Sequence, residues 1–293
     1  MSATAVRADC AADRAGTLTF DLTDLTDLPD LTDLPGRAPA PAPASVLLLR
    51  RRGAAGRKPG GTVRIPLSRS GPGRLRAVLP ATAELPEGRW DAYVEEPGPE
   101  SSEPAKTVVE PGLRDLRALV DRCPDTGSLS VSARIPYPTL DGRLAVRCWV
   151  RAPHAEAGAV VPGRSGMTAE GVLYGVEAGE GAVVEARLPG EPTRVHRFPL
   201  AVPDGPSGGF VFTLPFAELV AGPVREEQLW QLWLVPAEGA RGVRISRILD
   251  DVWSRTKSFV YPARPAADGV LATPCYTADN DLCVRLAPGP ADR

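Results

Sequence analysis

The chain has only two histidines, His154 and His196, and the first sits in the fragment His154-Ala155-Glu156. A His-x-Glu can hold zinc through the imidazole while the carboxylate moves protons, the chemistry of base deamination, when a Pro-Cys-x-x-Cys supplies two thiolates. The nearest such stretch, Pro274-Cys275-Tyr276-Thr277-Ala278, has the first cysteine and lacks the second. Zinc would miss its third protein ligand. His154 is therefore read as a loop histidine, and no metal or other cofactor is expected.

Asp250 and Asp251, followed by Lys257, are the other group with acid–base potential. Adjacent strand residues face opposite sides of a sheet and would not converge on one substrate, so the pair is read as an exposed turn. Trp149, Trp253 and Tyr174 leave two readings open, ordinary packing or a platform that stacks against sugar rings. No Gly-x-Ser-x-Gly elbow is present, since Gly163-Arg164-Ser165-Gly166 has the wrong spacing. Phosphate-binding and dinucleotide-binding glycine motifs are absent as well.

The elements that would position these residues come in two copies. Pro136-Tyr137-Pro138-Thr139-Leu140-Asp141-Gly142-Arg143-Leu144-Ala145-Val146-Arg147 returns as Pro274-Cys275-Tyr276-Thr277-Ala278-Asp279-Asn280-Asp281-Leu282-Cys283-Val284-Arg285, at a constant offset of 138 residues. Further stretches agree at drifting offsets. Arg64-Ile65-Pro66-Leu67 answers to Arg197-Phe198-Pro199-Leu200, Trp90 and Tyr93 to Trp230 and Trp233, and Gly112-Leu113-Arg114 to Gly242-Val243-Arg244. Drift of this kind arises when loops gain and lose residues between fixed buried positions. Trp90 and Trp230 share one repeat position and are read as core. Arg147 and Arg285 recur likewise, and sequence proximity suggests ion pairs with Asp141 and Asp279.

Strand-like runs separated by Pro and Gly dominate: Ser45 to Arg52, Thr62 to Leu67, Arg74 to Leu79, Arg89 to Glu95, Ala182 to Leu188, Val195 to Leu200, Phe210 to Leu214 and Leu229 to Val235. This spacing predicts an all-β chain of two tandem β-sandwich domains, immunoglobulin-like and related by the repeat. The expected layout is a disordered lead over 1–16, a first copy over 17–148, a linker over 149–167, a second copy over 168–287 and a tail over 288–293. The Asp-Leu-Thr and Asp-Leu-Pro triplets, with the Ala-Pro run behind them, read as a low-complexity insertion over 21–44, because a period of three fits neither strand nor helix. Residues 112–122 and 242–252 fit either a strand running into a turn or a short helix.

With 43% apolar and 24% charged residues the composition is that of a globular chain, and a net charge of −2 gives no reason to expect nucleic acid as partner. No window approaches the roughly 20 apolar residues of a membrane helix, and the first 17 residues lack the apolar core of a signal peptide. The expected location is the cytoplasm, at the inner membrane face through a partner. Five cysteines without regular pairing are read as free thiols.

Tyr276-Thr277 with Asn280-Asp281-Leu282 and Val284-Arg285, Gly171-Val172-Leu173-Tyr174-Gly175, and Trp230-Gln231-Leu232-Trp233-Leu234 resemble phrases of β-rich modules in actinobacterial proteins. Those modules accompany CDP-glycerol glycerophosphotransferases and other glycosyltransferases of cell-wall polymer synthesis. The resemblance implies a context, cell-envelope polymer synthesis, and supplies no catalytic residue; the repeat and the missing catalytic motifs add the expectation of a non-catalytic accessory protein that meets a glycosyltransferase or a glycan-type ligand. The candidate contact residues are Trp149, Arg151, His154, Glu156, Tyr174, Asp250, Asp251 and Trp253. The alternative is a transferase acting on an activated sugar or polyol, with a site between the copies formed by the same residues.

Overall fold

The computed structural model describes residues 6–23, 45–53, 60–96, 104–203 and 208–289. Most of the low-complexity insertion (24–44) and the end of the tail (290–293) lie outside the described residues. Two compact units emerge, one of residues 1–122 and 133–149, the other of residues 123–132 and 150–293. Among the described residues no helix is long and apolar enough to cross a membrane.

The first unit carries β1 (Val6–Ala12), β2 (Leu18–Thr23), β3 (Val46–Arg51), β4 (Thr62–Pro66), β5 (Ser68–Gly71), β6 (Arg74–Leu79), β7 (Gly88–Glu96), β8 (Ala105–Asp115), β9 (Val131–Pro138) and β10 (Leu144–Arg151). The second carries β11 (His154–Pro162), β12 (Gly166–Tyr174), β13 (Val183–Arg187), β14 (Val195–Ala201), β15 (Gly209–Pro215), β16 (Gln228–Val235), β17 (Val243–Ser246), β18 (Arg264–Ala267), β19 (Val270–Tyr276) and β20 (Leu282–Pro288).

Strand order makes the repeat explicit. Neighbours run β4-β3-β7-β8-β1-β2-β6 in the first unit and β14-β13-β16-β17-β11-β12-β15 in the second. Each path holds one parallel pair, β1 with β8 and β11 with β17. On β7 and β16 one edge is shared between two partners, so each belongs to two layers. Trp90 sits opposite Val146 of β10, and Trp230 opposite Val284 of β20. Pairing of Leu200 in β14 with Phe212 in β15 closes the second path into a ring. The chain is thus all-β, with two tandem β-rich units, each barrel-like or sandwich-like.

Alternation of side chains drives this arrangement. Leu18, Phe20 and Leu22 of β2 are buried while Thr19, Asp21 and Thr23 between them are not. Trp230, Leu232 and Leu234 of β16 point into the second core, where Phe198, Phe210, Phe212 and Phe216 meet them. Each fully buried Leu or Phe contributes about 1.5–3 kcal/mol. The hairpins that begin each repeat anchor turn through Gly142 (φ 76°) and Asn280 (φ 60°). Both occupy the left-handed region, which favours Gly first and Asn next.

Two stretches differ from expectation. Residues 6–12, expected in a disordered lead, form β1, which pairs with β2 and β8. Residues 154–162, expected in a linker, form β11, which pairs with β12 and β17. Both strands are rich in alanine, so their β signal is weak, and their partners bury them all the same. After β8 the chain makes one short 3-10 turn over Arg117–Leu119, and after β17 it bends without a helix. Both segments are strands running into turns.

Candidate functional site

Residues two apart on a strand share a face, and β11 uses this to place His154 beside Glu156. His154 is buried, and its Nε2 lies 2.7 Å from Glu156 Oε2. Tyr174, directly opposite on β12, stacks at 6.3 Å between ring centroids. The Glu156 carboxylate also receives the chain leaving β17. Its Oε2 accepts the Ile248 N–H at 2.9 Å and its Oε1 accepts the Leu249 N–H at 2.9 Å. Glu156 therefore fastens the loop that follows β17, and His154 braces Glu156.

That loop contains Asp250, Asp251 and Trp253. Asp250, expected in an exposed turn, is buried, and its Oδ2 accepts a 2.6 Å hydrogen bond from Arg255 Nη2. Arg255 is itself fully buried, and its Nε donates to the Arg247 carbonyl at 3.0 Å. Its guanidinium lies 4.6 Å from the centre of the Phe259 ring. The two aspartates occupy a bend, so the opposite-face argument for strand neighbours does not apply to them. Burial opposes charge on Asp250, but the hydrogen bonds from Arg255 and the Asp251 N–H, with the Arg255 charge, hold its pKa below the usual value. Burial, then the hydrogen bond to Asp250 and its charge, pushes Asp251 up.

The far side of the loop is held by the repeat anchor. Asn280 Oδ1 accepts the Arg255 N–H at 2.9 Å, and Asn280 Nδ2 donates to the Val252 carbonyl at 3.0 Å. Asp281 accepts from the Ser246 hydroxyl at 2.6 Å and from Arg244 Nη1 at 3.0 Å. Sequence reasoning missed Arg255, Asn280, Asp281 and Ser246. One signal was present: Asn280 is the only asparagine of the chain and replaces the glycine of the first copy.

The remaining candidates lie apart. Trp149 belongs to the first unit and is fully buried, with the Arg147 guanidinium 4.7 Å from its ring centre. Tyr174 is buried too, so both rings pack in the interior instead of standing in solvent as a sugar platform would. Arg151, at the end of β10 where the first unit passes into the second, and Trp253 of the second unit are half-buried. Of the eight, the second unit joins His154, Glu156 and Tyr174 to the loop of Asp250, Asp251 and Trp253. Around the repeat anchors, Asp141 meets Arg143 at 2.9 Å, and Arg285 meets Glu227 at 3.3 Å.

A second polar row crosses β14, β13, β16 and β17. Glu185 accepts from Arg197 at 3.0 Å and from Arg187 at 2.8 Å, and the Arg187 and Arg244 guanidinium groups lie 4.7 and 4.3 Å from the centre of the Trp233 ring. The first unit has a simpler form, with Arg50 4.7 Å from the Tyr93 ring centre and hydrogen-bonded to its hydroxyl at 2.6 Å. Burial opposes charge on Glu185, yet the Arg187 and Arg197 hydrogen bonds set its pKa below the usual carboxylate value.

No protein-family model matches the chain. No curated protein matches it either. Among solved structures it is similar to S. aureus TarS 217-571, with 16% identity over 73% of this chain and 56% of that one, at a TM-score of 0.31. It is also similar to S. aureus TarS in a longer form, with 15% identity over 77% of this chain and 38% of that one, again at 0.31. The chain thus spans 56% and 38% of the length of these two structures. At these scores the likeness carries no argument about what this chain does.

Proposed function

We propose that this chain is a non-catalytic binding protein, whose β-rich units meet a partner enzyme or a glycan-type ligand in glycosyl- or glycerophospho-transfer during cell-envelope polymer assembly. One observation carries the non-catalytic half. Two of the three candidate acids are engaged in holding the fold, Glu156 by two backbone N–H groups and Asp250 by Arg255. A carboxylate with its oxygens so occupied is a poor general base, because proton transfer would cost those hydrogen bonds. The cell-envelope context rests on the phrases around Tyr174, Trp230 and Tyr276 that resemble modules accompanying cell-wall polymer transferases.

The surface of this reading is the stretch from Trp253 to Val260 in the second unit, where Lys257 and Val260 are exposed beside half-buried Trp253. The competing reading, a transferase acting on an activated sugar or polyol, draws on the split between Asp250 and Asp251. Carboxyl neighbours whose pKa values are pushed apart are the pattern of an acid–base pair. One experiment separates the two. The purified chain is incubated with nucleotide-sugar and CDP-polyol donors, and used in parallel to capture an envelope glycosyltransferase from lysate of its source. Capture that is lost in a Trp253→Ala, Val260→Ser double variant, without donor turnover, supports the binding reading. Donor turnover that is lost in Asp251→Asn overturns it in favour of the transferase.

A further inference from the structure

On the hairpin of β19 and β20, Cys275 sits directly opposite Cys283. Directly opposed residues of an antiparallel pair point to the same face. The turn identifies the kind of pair. The Thr277 N–H bonds the Asp281 carbonyl at 2.9 Å, so 277 and 281 form a hydrogen-bonded pair. Alternation then makes 276 with 282 a non-hydrogen-bonded pair and 275 with 283 a hydrogen-bonded one. Pro274, which has no N–H to give, falls opposite Val284 in the next non-hydrogen-bonded position, as that phase requires. In a hydrogen-bonded pair the Cα atoms lie about 5.5 Å apart. That matches the Cα span of a disulfide, commonly about 5.5–6 Å; the side chains of a hydrogen-bonded pair stand farther apart than those of a non-hydrogen-bonded one, so closure must draw the two Cβ atoms together.

The first unit provides an internal comparison. At the same repeat positions it carries Tyr137 and Ala145, so the thiol pair belongs to the second unit alone. Access is asymmetric, since Cys283 is fully buried and Cys275 is partly exposed. The turn between them carries Asn280 and Asp281, which hold the loop after β17.

We propose that Cys275 and Cys283 are a redox modification site, closing to a reversible cross-strand disulfide by exchange with a small-molecule disulfide. Cys275 loses its proton to water and its sulfur attacks the external disulfide, releasing one small thiol and leaving a mixed disulfide. Cys283 then gives up its proton and its sulfur attacks that of Cys275, releasing the second small thiol. Two protein thiols are oxidised and one external disulfide is reduced to two thiols. Burial pushes both protein thiols above the usual range, so the thiolate is scarce near neutral pH. Closure is slow there and quickens as pH rises.

The test uses the full chain and oxidised glutathione. Trypsin does not cleave before Pro265, so one peptide, Ser258–Arg285, carries both cysteines. After incubation, quenching and alkylation under denaturing conditions, this peptide is expected to be lighter by two hydrogen atoms than the reduced form and unalkylated. Dithiothreitol should restore both alkylation sites. Cys283→Ala is expected to stop at a glutathione adduct on Cys275. Full alkylation of both cysteines after prolonged oxidation overturns the proposal, as does a glutathione adduct that persists on wild-type Cys275. If Cys283→Ala takes up no glutathione at Cys275, the point of entry is wrong and the exchange route fails.

Discussion

Asn280 offers the sharpest test of how the loop after β17 is held. The residue is fully buried, sits at φ 60°, and bonds the Arg255 N–H and the Val252 carbonyl. Asn280→Gly keeps the backbone conformation and removes both bonds. The Arg255 N–H is buried and would lose its acceptor, at a cost of about 1–3 kcal/mol, while the Val252 carbonyl is half-buried and loses about 0.5–1.5 kcal/mol. The sum is about 1.5–4.5 kcal/mol. Asn280→Ala should cost roughly 1–2 kcal/mol more, because a Cβ is disfavoured at positive φ. Gly142 supplies the control, since a Cβ added there meets nothing within 4 Å. Gly142→Asn should therefore change stability by less than about 1 kcal/mol. Urea unfolding gives the magnitude, and hydrogen exchange gives the place. The amides of Arg255, Ser258 and Phe259 should lose protection first, because the latter two bond the Arg255 carbonyl at 3.2 and 3.1 Å. If Asn280→Gly unfolds within about 0.5 kcal/mol of wild type and those amides stay protected, the loop is held by something else.

Other perturbations follow from the same contacts. Glu156→Gln keeps one acceptor oxygen and turns an amide N–H towards a backbone N–H, so a loss of about 1–3 kcal/mol is expected, read by thermal unfolding. Asp250→Asn leaves the buried Arg255 without its counter-charge and should cost about 3–5 kcal/mol, with much of that recovered in Asp250→Asn, Arg255→Met. A double variant no more stable than the single one would refute the ion-pair account. Glu185 has a folded pKa below its unfolded value. Its stabilising effect is therefore present above the unfolded pKa and lost as pH falls through the folded one. Glu185→Gln should flatten that acid limb in a pH series of melting temperatures and lower the neutral plateau only modestly, since Arg197 is largely solvated and Arg187 keeps its contact with the Trp233 ring.

The repeat was legible because the constraints that preserve it act on single positions. Trp90 opposite Val146 and Trp230 opposite Val284 are the same cross-strand contact built twice, and substituting the tryptophan would open a cavity in either core. Strands with large alternating side chains, such as β2 and β16, declare themselves in the same way. β1 and β11 did not, because Val-Arg-Ala-Asp-Cys-Ala-Ala and His-Ala-Glu-Ala-Gly-Ala carry small side chains on their buried faces. Their place is fixed by parallel partners about 90 to 100 residues away, β8 and β17, and no local window contains both members of such a pair.

The site followed a different logic. His154 and Glu156 read as metal and proton chemistry only if β11 is a loop; on a strand, spacing of two puts them on the face opposite the core alanines Ala155 and Ala157, with His154 buried and Glu156 partly so, and a carboxylate there is stable only with hydrogen-bond donors around it. The backbone N–H groups of Ile248 and Leu249 are those donors, and they come from a chain segment about 90 residues away. Asp250 and Arg255 pair five residues apart for the same reason: a bend with no sheet partner must satisfy its polar groups through side chains. Residue types alone signal acid–base potential and structural fastening alike. What separates them is the number of hydrogen bonds each oxygen already accepts, which here leaves Asp251, with its raised pKa, as the acid in the loop whose substitution most directly decides between a binding surface and a reaction centre.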